Sequence, residues 1–284
     1  MEAPARMTLG GKDFARLREA RLQAHYAAQW LARAARAYLA PQDDDSHTNL
    51  GWNDYSKALA THSIGAWRLA LKVSPFALAM VDDGASPPTL ASLAGLNDKA
   101  VREWLGNEVA ARGLDASRLD LPAPYDLPQH AIAEGGRYGG DLEDAFADLA
   151  EWFAVGERAI STVRADLVAR GLAAPEPRCW PHHFDLATLT SFAGAAGLTA
   201  YVGAGLSPGD TFYEEPYFYV SLYPRPPIAG LAALPPIGHW HDKEFTGAVA
   251  PASKIVAAED PEGAIELFLA IAVDAAIGRL TAGA

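Results

Sequence analysis

Two separated groups of histidines are the residues in this sequence whose types and spacing could do chemistry. The segment RCWPHHFDLATL carries His182 beside His183, with Asp185 two residues later. The segment GHWHDKEF carries His239 and His241, spaced by one residue. Imidazole nitrogens and carboxylate oxygens are ligands of divalent transition metals, and zinc, iron, manganese or nickel would all accept this set of residue types.

Strand alternation indicates which of these side chains could share an ion. Along an extended strand, successive side chains point to opposite faces of the sheet. If residues 179–188 form one strand, Cys179, His183 and Asp185 share a face. His182 then lies on the other face with Trp180. We therefore expect the adjacent histidines to point apart, with Trp180 and His182 on a packed or ligand-binding surface.

The predicted metal site combines both segments. His239 and His241 share a face if their own segment is extended. If the two strands are neighbours, His183, Asp185, His239 and His241 could present three nitrogens and one carboxylate to one divalent transition metal. The alternative is that these histidines satisfy hydrogen bonds within the fold and bind nothing.

The single cysteine, Cys179, does not suit a nucleophilic site with the nearby histidine. Cys179 and His183 are four residues apart, which is about 13 Å along a strand. A nucleophile and its general base must lie within hydrogen-bonding distance of each other. We therefore expect Cys179 to be a small buried apolar residue.

An aromatic strand is predicted in the segment PYFYVSLYP. Tyr217, Tyr219, Ser221 and Tyr223 fall on one face, and the apolar residues between them form a core face. The tyrosine face could line a ligand pocket, form a homodimer interface or pack under a helix. Asp210, in the preceding turn, could act as a general acid, although we expect a solvated turn.

Composition narrows the class of partner. The chain has 284 residues, half of them hydrophobic, and a net charge of -12. A surface this acidic disfavours binding to nucleic acid or to an anionic membrane. No apolar run is long enough to span a bilayer, the N-terminal segment lacks the apolar core of a signal peptide, and one cysteine cannot form an intrachain disulfide. These features predict a cytoplasmic protein.

The order of the elements predicts an α+β fold with a mainly antiparallel sheet covered by helices, because strands follow one another instead of alternating with helices. We expect a single domain over 1–284, with 1–50 as an N-terminal helical arm and 51–284 as sheet and helices. The predicted helices span 12–39, 98–112, 141–171 and 261–280. We expect Asn97 or Asp98 to be the N-cap of the second and Pro261 to lie in the first turn of the last. The predicted strand segments are 63–82, 178–190, 198–204, 216–223 and 240–250, and 114–140 is a long loop.

The C-terminal part resembles a family of uncharacterised bacterial proteins. The similarity rests on WPHHFDLAT, on GLSPGDTFYEEPYFYVSLYPRP, on the Trp–Phe segment that follows and on a closing helix with FLAIAVDAA. It covers about residues 178–280, whereas the insert at 85–170 departs from the family pattern. The resemblance implies a shared α+β fold and brings no established activity.

Three functions are compatible with these features. The first is an enzyme, with or without a bound metal, that acts on a small molecule in a tyrosine-lined pocket. The second is a protein that binds a small apolar or aromatic ligand without catalysis. The third is an interaction protein whose tyrosine face forms a homodimer interface, since aromatic residues are enriched at such surfaces.

Overall fold

A computed structural model describes residue 9 and the ranges 13–84 and 87–282, apart from the side chain of residue 196. Within these ranges the chain forms five α-helices and two antiparallel sheets, which confirms the predicted α+β class. Residues 1–8 and 10–12, where the predicted arm and its helix begin, lie outside the described part.

The helices follow the predicted positions closely. They are α1 (Phe14–Tyr38), α2 (Asp98–Ala111), α3 (Glu143–Ala169), the single-turn α4 (Ala252–Ile255) and α5 (Pro261–Ala282). Local capping explains where α1 and α2 begin, because Asp13 accepts a hydrogen bond from the Arg16 amide and Asn97 accepts one from the Ala100 amide. The predicted N-cap of α2 is therefore confirmed at Asn97.

The two sheets differ in strand order. The first sheet keeps chain order, with β1 (Gly51–Asn53), β2 (Ala58–Ala60), β3 (Trp67–Lys72), β4 (Ala77–Asp82) and β5 (Thr89–Ser92). The second contains β6 (Arg178–Trp180), β7 (Asp185–Ala193), β8 (Thr199–Ser207), β9 (Tyr217–Tyr223), β10 (His239–His241) and β11 (Gly247–Pro251). Its spatial order is β10-β11-β9-β8-β7-β6.

The second sheet has one buried face and one partly open face. On β9, Phe218, Val220 and Leu222 are buried against the helical layer, in which α5 contacts β8 and β9 and α3 contacts β7 and β8. The tyrosines that alternate with them lie on the opposite face, as the sequence predicts. We call this second surface the outer face of the sheet.

Helix α1 is buried on most of its circumference and contacts α3 and β3. The segment predicted as a helical arm is therefore packed into the fold where it is described. The loop at 114–140 wraps over this helix, because the Tyr26 hydroxyl donates to the Pro128 carbonyl (2.7 Å) and the Tyr125 hydroxyl donates to Gln29 Oε1 (2.9 Å).

Two segments predicted as single strands are hairpins. The first, 178–190, turns at residues 181–184, where Pro181 has no amide hydrogen and Phe184 adopts a left-handed φ of 60°. The Phe184 amide donates to the Trp180 carbonyl at 2.6 Å and closes the turn. The second, 240–250, reverses between β10 and β11. Alternation of side chains therefore does not run through either segment.

Among the described residues, no helix combines the length and the apolar character that crossing a bilayer would require.

Candidate functional site

The hairpin between β6 and β7 changes the relationship of the two adjacent histidines. His182 and His183 both lie in the turn, and their ring centroids are 4.2 Å apart. The expectation that they point to opposite faces of a strand was wrong, because the turn interrupts the alternation. Asp185 begins β7 and pairs with Trp180 across the hairpin, so these two residues share the outer face.

The cysteine lies on the other side of the same hairpin. Cys179 pairs with Leu186, and both side chains are fully buried in the core. Burial raises the pKa of the Cys179 thiol well above its usual value. The prediction of a buried apolar cysteine is confirmed, but its placement on the face of His183 and Asp185 was wrong.

A cavity of about 210 Å³ opens on the outer face where β7, β8 and β9 meet their connecting loops. Polar groups and aromatic rings share its wall. The lining residues are His183, Asp185, Ser207, Asp210, Phe212, Tyr217, Tyr219, Ser221 and Phe245. Two of the predicted metal ligands and two of the predicted pocket tyrosines therefore meet here.

The floor of the cavity is built across strand β8. Tyr219 on β9 is paired with Gly205 on β8, which is paired with Ala187 on β7. A Cβ atom at Gly205 would lie 2.5 Å from Cζ of the Tyr219 ring, so only glycine leaves room for the phenol to lie over the strand. The Tyr219 hydroxyl then reaches β7 and donates a hydrogen bond to Oδ2 of Asp185.

The Asp185 carboxylate is buried although the residue borders the cavity. Its Oδ1 atom is inaccessible to solvent and has no hydrogen-bond partner. Burial raises the pKa of Asp185, while the Tyr219 hydroxyl and the nearby His183 ring oppose that rise. Burial, followed by the adjacent Asp185 charge, raises the pKa of the Tyr219 phenol well above its usual value.

Asp210 fixes the turn on the other side of the cavity. Its Oδ1 accepts hydrogen bonds from the Phe212 amide (2.8 Å) and the Tyr213 amide (3.0 Å), and its Oδ2 accepts one from the Tyr217 hydroxyl (2.5 Å). Gly209 precedes it with a φ of 109°, in the region that favours glycine. Residues 211, 212 and 214 of the turn are exposed, as expected for a solvated turn, and the hydrogen bonds of Asp210 also make the turn an organised part of the wall.

Helix α1 holds both turns through three polar residues that sequence reasoning did not identify. Arg21 donates to the Gly209 carbonyl. His25 Nε2 and Gln29 Nε2 lie 2.8 and 2.9 Å from the Pro181 carbonyl oxygen, which accepts from both. The three side chains are buried, and we call them the polar stripe of α1.

The polar stripe had a signal in the sequence. Residues 21, 25 and 29 are spaced by four, which places them on one face of a helix, within a segment otherwise rich in alanine. Burial lowers the pKa of His25 to about 4 and that of Arg21 below its usual value. His25 is therefore neutral near pH 7, with the Nε2 hydrogen directed at the Pro181 carbonyl.

The second pair of predicted metal ligands lies elsewhere. His239 and His241 are on the edge strand β10, and β11, β9 and β8 separate it from β7. Four strand spacings amount to roughly 19 Å. Both rings instead contact the Tyr213 hydroxyl, which lies 2.9 Å from His239 Nε2 and 3.0 Å from His241 Nδ1.

The four predicted ligands are therefore not brought together. Within the described ranges, no group of three or more histidine, cysteine, aspartate or glutamate side chains is arranged to hold a metal ion. His183 and Asp185 both border the cavity and would supply two ligands. Two of the four predicted metal ligands therefore lie at the cavity, and the other two lie on the edge strand β10.

The remaining predicted ligand-binding residues lie outside the cavity wall. Tyr223 is 62% exposed near the opposite end of β9, where its ring lies 6.0 Å from that of Tyr201. Trp180 and His182 contact each other, and the His182 ring also contacts that of Tyr125. The pKa of His182 is lowered to about 4, first by desolvation and then by the His183 ring, although part of the side chain remains exposed at the turn.

Comparisons with protein-family models, with curated proteins and with solved structures found no match to this chain.

Proposed function

We propose that this protein is an enzyme that acts on a small molecule in the cavity of the outer face, with Asp185 as the group that transfers a proton. One observation carries the proposal: Asp185 lines the cavity, and its buried carboxylate oxygen Oδ1 has no hydrogen-bond partner. Buried polar groups in folded proteins are nearly always paired, and an unpaired one calls for an explanation such as a catalytic role or a bound ion.

The surroundings of Asp185 suit general acid–base chemistry. Burial raises the pKa of Asp185, and a raised pKa helps a carboxyl group to hold the proton that a general acid donates. The Tyr219 hydroxyl holds Oδ2 of the carboxylate, while the buried Oδ1 has no hydrogen-bond partner. Strongly perturbed carboxyl groups in clefts are candidates for such roles.

The segments that resemble the uncharacterised bacterial family support the same location. WPHHFD forms the β6–β7 turn, GLSPGD forms the end of β8 with the turn after it, and the aromatic segment forms β9. All three border the cavity. A shared site would account for a resemblance concentrated in these segments.

The proposal does not depend on a metal. His183 and Asp185 supply two ligands, whereas catalytic zinc sites ordinarily have three from the protein. Proton transfer by a carboxyl group needs only the contacts already described. We also place the protein in the cytoplasm with a small-molecule partner instead of nucleic acid, in line with its acidic charge and its single buried thiol.

A thermal-shift screen with a panel of small metabolites tests the proposal, followed by mass spectrometry of each stabilising compound after incubation with the protein. We expect at least one compound to raise the melting temperature and to be converted. Asp185→Asn should abolish conversion, whereas Tyr223→Phe, on the same outer face but on β9 and outside the cavity, should not. Conversion that survives Asp185→Asn would refute the assigned role.

Binding without conversion would instead support the second function, a non-catalytic ligand-binding protein. The same screen separates the two, because it measures stabilisation and product independently. Stabilisation that is lost in Tyr219→Phe and kept in Tyr223→Phe, with no product from any compound, would favour the binding protein.

A homodimer is the other candidate function, and exposed apolar side chains on the outer face favour it. Leu189 is 53% exposed and Tyr223 is 62% exposed, beyond the cavity on the same face. Such residues are common in interfaces between copies of a chain. Light scattering at high protein concentration tests this, and a strictly monomeric mass would exclude it.

A further inference from the structure

We propose that the cavity recognises an organic ammonium group, so that the substrate or ligand is a small protonated amine. This inference rests on the proposed function, because it names the chemical class of the molecule bound in the same cavity. It is carried by the charges of the lining residues, by the unpartnered carboxylate oxygen and by the aromatic rings around it.

The charge of the wall favours a cation. Two carboxylates and one imidazole line the cavity, and none of the lining residues is lysine or arginine. Arg21 lies behind the wall, where it donates to the Gly209 carbonyl and interacts electrostatically with Asp210. Arg21 therefore compensates Asp210, whereas Asp185 interacts electrostatically with the imidazole of His183 and has no lysine or arginine partner among the lining residues.

The two carboxylates also differ in the number of hydrogen bonds that they accept. Asp210 already accepts three hydrogen bonds, from the Phe212 and Tyr213 amides and the Tyr217 hydroxyl. Asp185 accepts one from Tyr219, and its Oδ1 has none. A buried acceptor without a donor is destabilising, and an ammonium group supplies several donors together with the compensating charge.

The aromatic rings complete the environment that such a group needs. Phe212 and Phe245 meet edge to face with centroids 5.5 Å apart, and Tyr217 and Tyr219 lie 6.1 Å apart on the floor. All four rings line the same cavity. Aromatic faces attract cations through their quadrupoles and provide apolar contact for the carbon atoms attached to the nitrogen.

The size of the cavity limits the ligand. A volume of about 210 Å³ corresponds to about seven water molecules at liquid density. This accommodates an ammonium group with a short chain or a single ring, and excludes a nucleotide. The site therefore suits a compact amine.

A matched series of three probes tests the inference: benzylamine, benzyl alcohol and benzoate, which place a cation, a neutral group and an anion on the same ring. Binding to the full chain is measured at pH 7 by saturation-transfer NMR with titration. We expect benzylamine to bind about tenfold more tightly than benzyl alcohol, as a charge-assisted hydrogen bond and a cation–π contact imply, and benzoate to bind least.

Variants locate the effect. Asp185→Asn should remove the preference for benzylamine over benzyl alcohol. Asp242→Asn, which removes the same charge at an exposed position near the edge strand β10, should retain it. If Asp185→Asn fails to fold, Phe245→Leu serves as a second variant, and it should weaken benzylamine more than benzyl alcohol.

The possible outcomes separate this inference from the proposed function. Equal binding of the three probes, or preferential binding of benzoate, would overturn recognition of an ammonium group while a small-molecule site remained in place. Absence of binding by every probe would also overturn it. If no metabolite in the thermal-shift panel bound either, the proposed function would fail as well.

Discussion

The hydroxyl of Tyr219 donates a hydrogen bond to the carboxylate of Asp185 from two strands away, across a position on β8 that is occupied by Gly205. The phenol lies flat over that glycine, so the bond depends on the absence of one carbon atom. The floor of the candidate site therefore depends on Gly205, a glycine in the middle of the sheet.

Gly205→Ala should displace the Tyr219 ring, because the new Cβ atom would lie 2.5 Å from the ring carbon Cζ. Overpacking of this kind costs about 1–3 kcal/mol of unfolding free energy. Urea unfolding measures the loss. Gly278→Ala is the control: it is a helical glycine with open space around it, and alanine there should raise the stability by about 0.5–1 kcal/mol. Equal effects would contradict the proposed crowding.

Asp185→Asn should stabilise the protein at neutral pH. Because burial raises the pKa of Asp185 above 3.8, the folded state binds its proton more tightly than the unfolded state does. Wild-type stability therefore falls as the pH rises from 3.8 through the folded pKa, by at most about 1.4 kcal/mol per pH unit. The asparagine side chain does not titrate, so the advantage of the variant should grow with pH.

Urea unfolding of both proteins at pH 4.5, 6 and 7.5 measures this difference. The advantage in unfolding free energy of Asp185→Asn over wild type could instead stay constant across the three pH values or shrink as the pH rises. Either result would show that the pKa of Asp185 is not raised in the folded state. Asp242→Asn, at an exposed position, should show no such trend.

His25→Gln should make the protein less sensitive to acid. The folded pKa of His25 is lowered to about 4 from 6.5, so the unfolded state takes up a proton first. Stability is therefore fully present above pH 6.5 and is lost as the pH falls to about 4, by roughly 3 kcal/mol from this residue. The variant loses packing at every pH but should lose less additional stability across this window.

The quantity to compare for His25→Gln and wild type is the slope of the unfolding free energy against pH, measured by urea unfolding, and not the absolute stability. His47→Gln, at a half-buried position in the short helical turn after α1, should retain the wild-type slope between pH 6.5 and pH 4. Identical slopes for wild type and His25→Gln would refute the assignment.

Gln29→Leu should destabilise the turn that carries His183. The glutamine side chain donates to the Pro181 carbonyl and accepts from the Tyr125 hydroxyl. Its loss leaves the Pro181 carbonyl with His25 as its one side-chain donor and the Tyr125 hydroxyl without its acceptor. Such losses cost about 1–3 kcal/mol. Gln129→Leu, an exposed glutamine, should change the stability by less than about 0.5 kcal/mol. Urea unfolding at pH 7 compares the two, and equal losses would contradict the role of the polar stripe.

Local patterns were sufficient for much of the fold. Asn97 capped α2 as expected, and Pro261 opened α5, because capping and helix initiation depend on a few neighbouring residues. The alternation in β9 correctly separated Tyr217 and Tyr219 from the core residues between them, since that strand is continuous. Both tyrosines accordingly line the cavity.

The same reasoning failed where the chain turned. Alternation was applied across 178–190, but the turn at 181–184 brings the rings of His182 and His183 together. The signal against a continuous strand was Pro181, which cannot donate an amide hydrogen. A proline in an extended segment can either interrupt one strand or lie in the turn of a hairpin. Which of the two occurs depends on the strands with which the flanking residues pair, and the local sequence does not contain that information.

By itself, the sequence determined the helices, the faces of β9 and the acidic, cysteine-poor character of the chain, because short-range spacing and composition decide these properties. Only the tertiary structure decided that β10 lies four positions from β7, so that His239 and His241 are remote from His183 and Asp185. It also decided that α1 supports the cavity. Both depend on pairing and packing between residues far apart in the chain, which local periodicity does not specify.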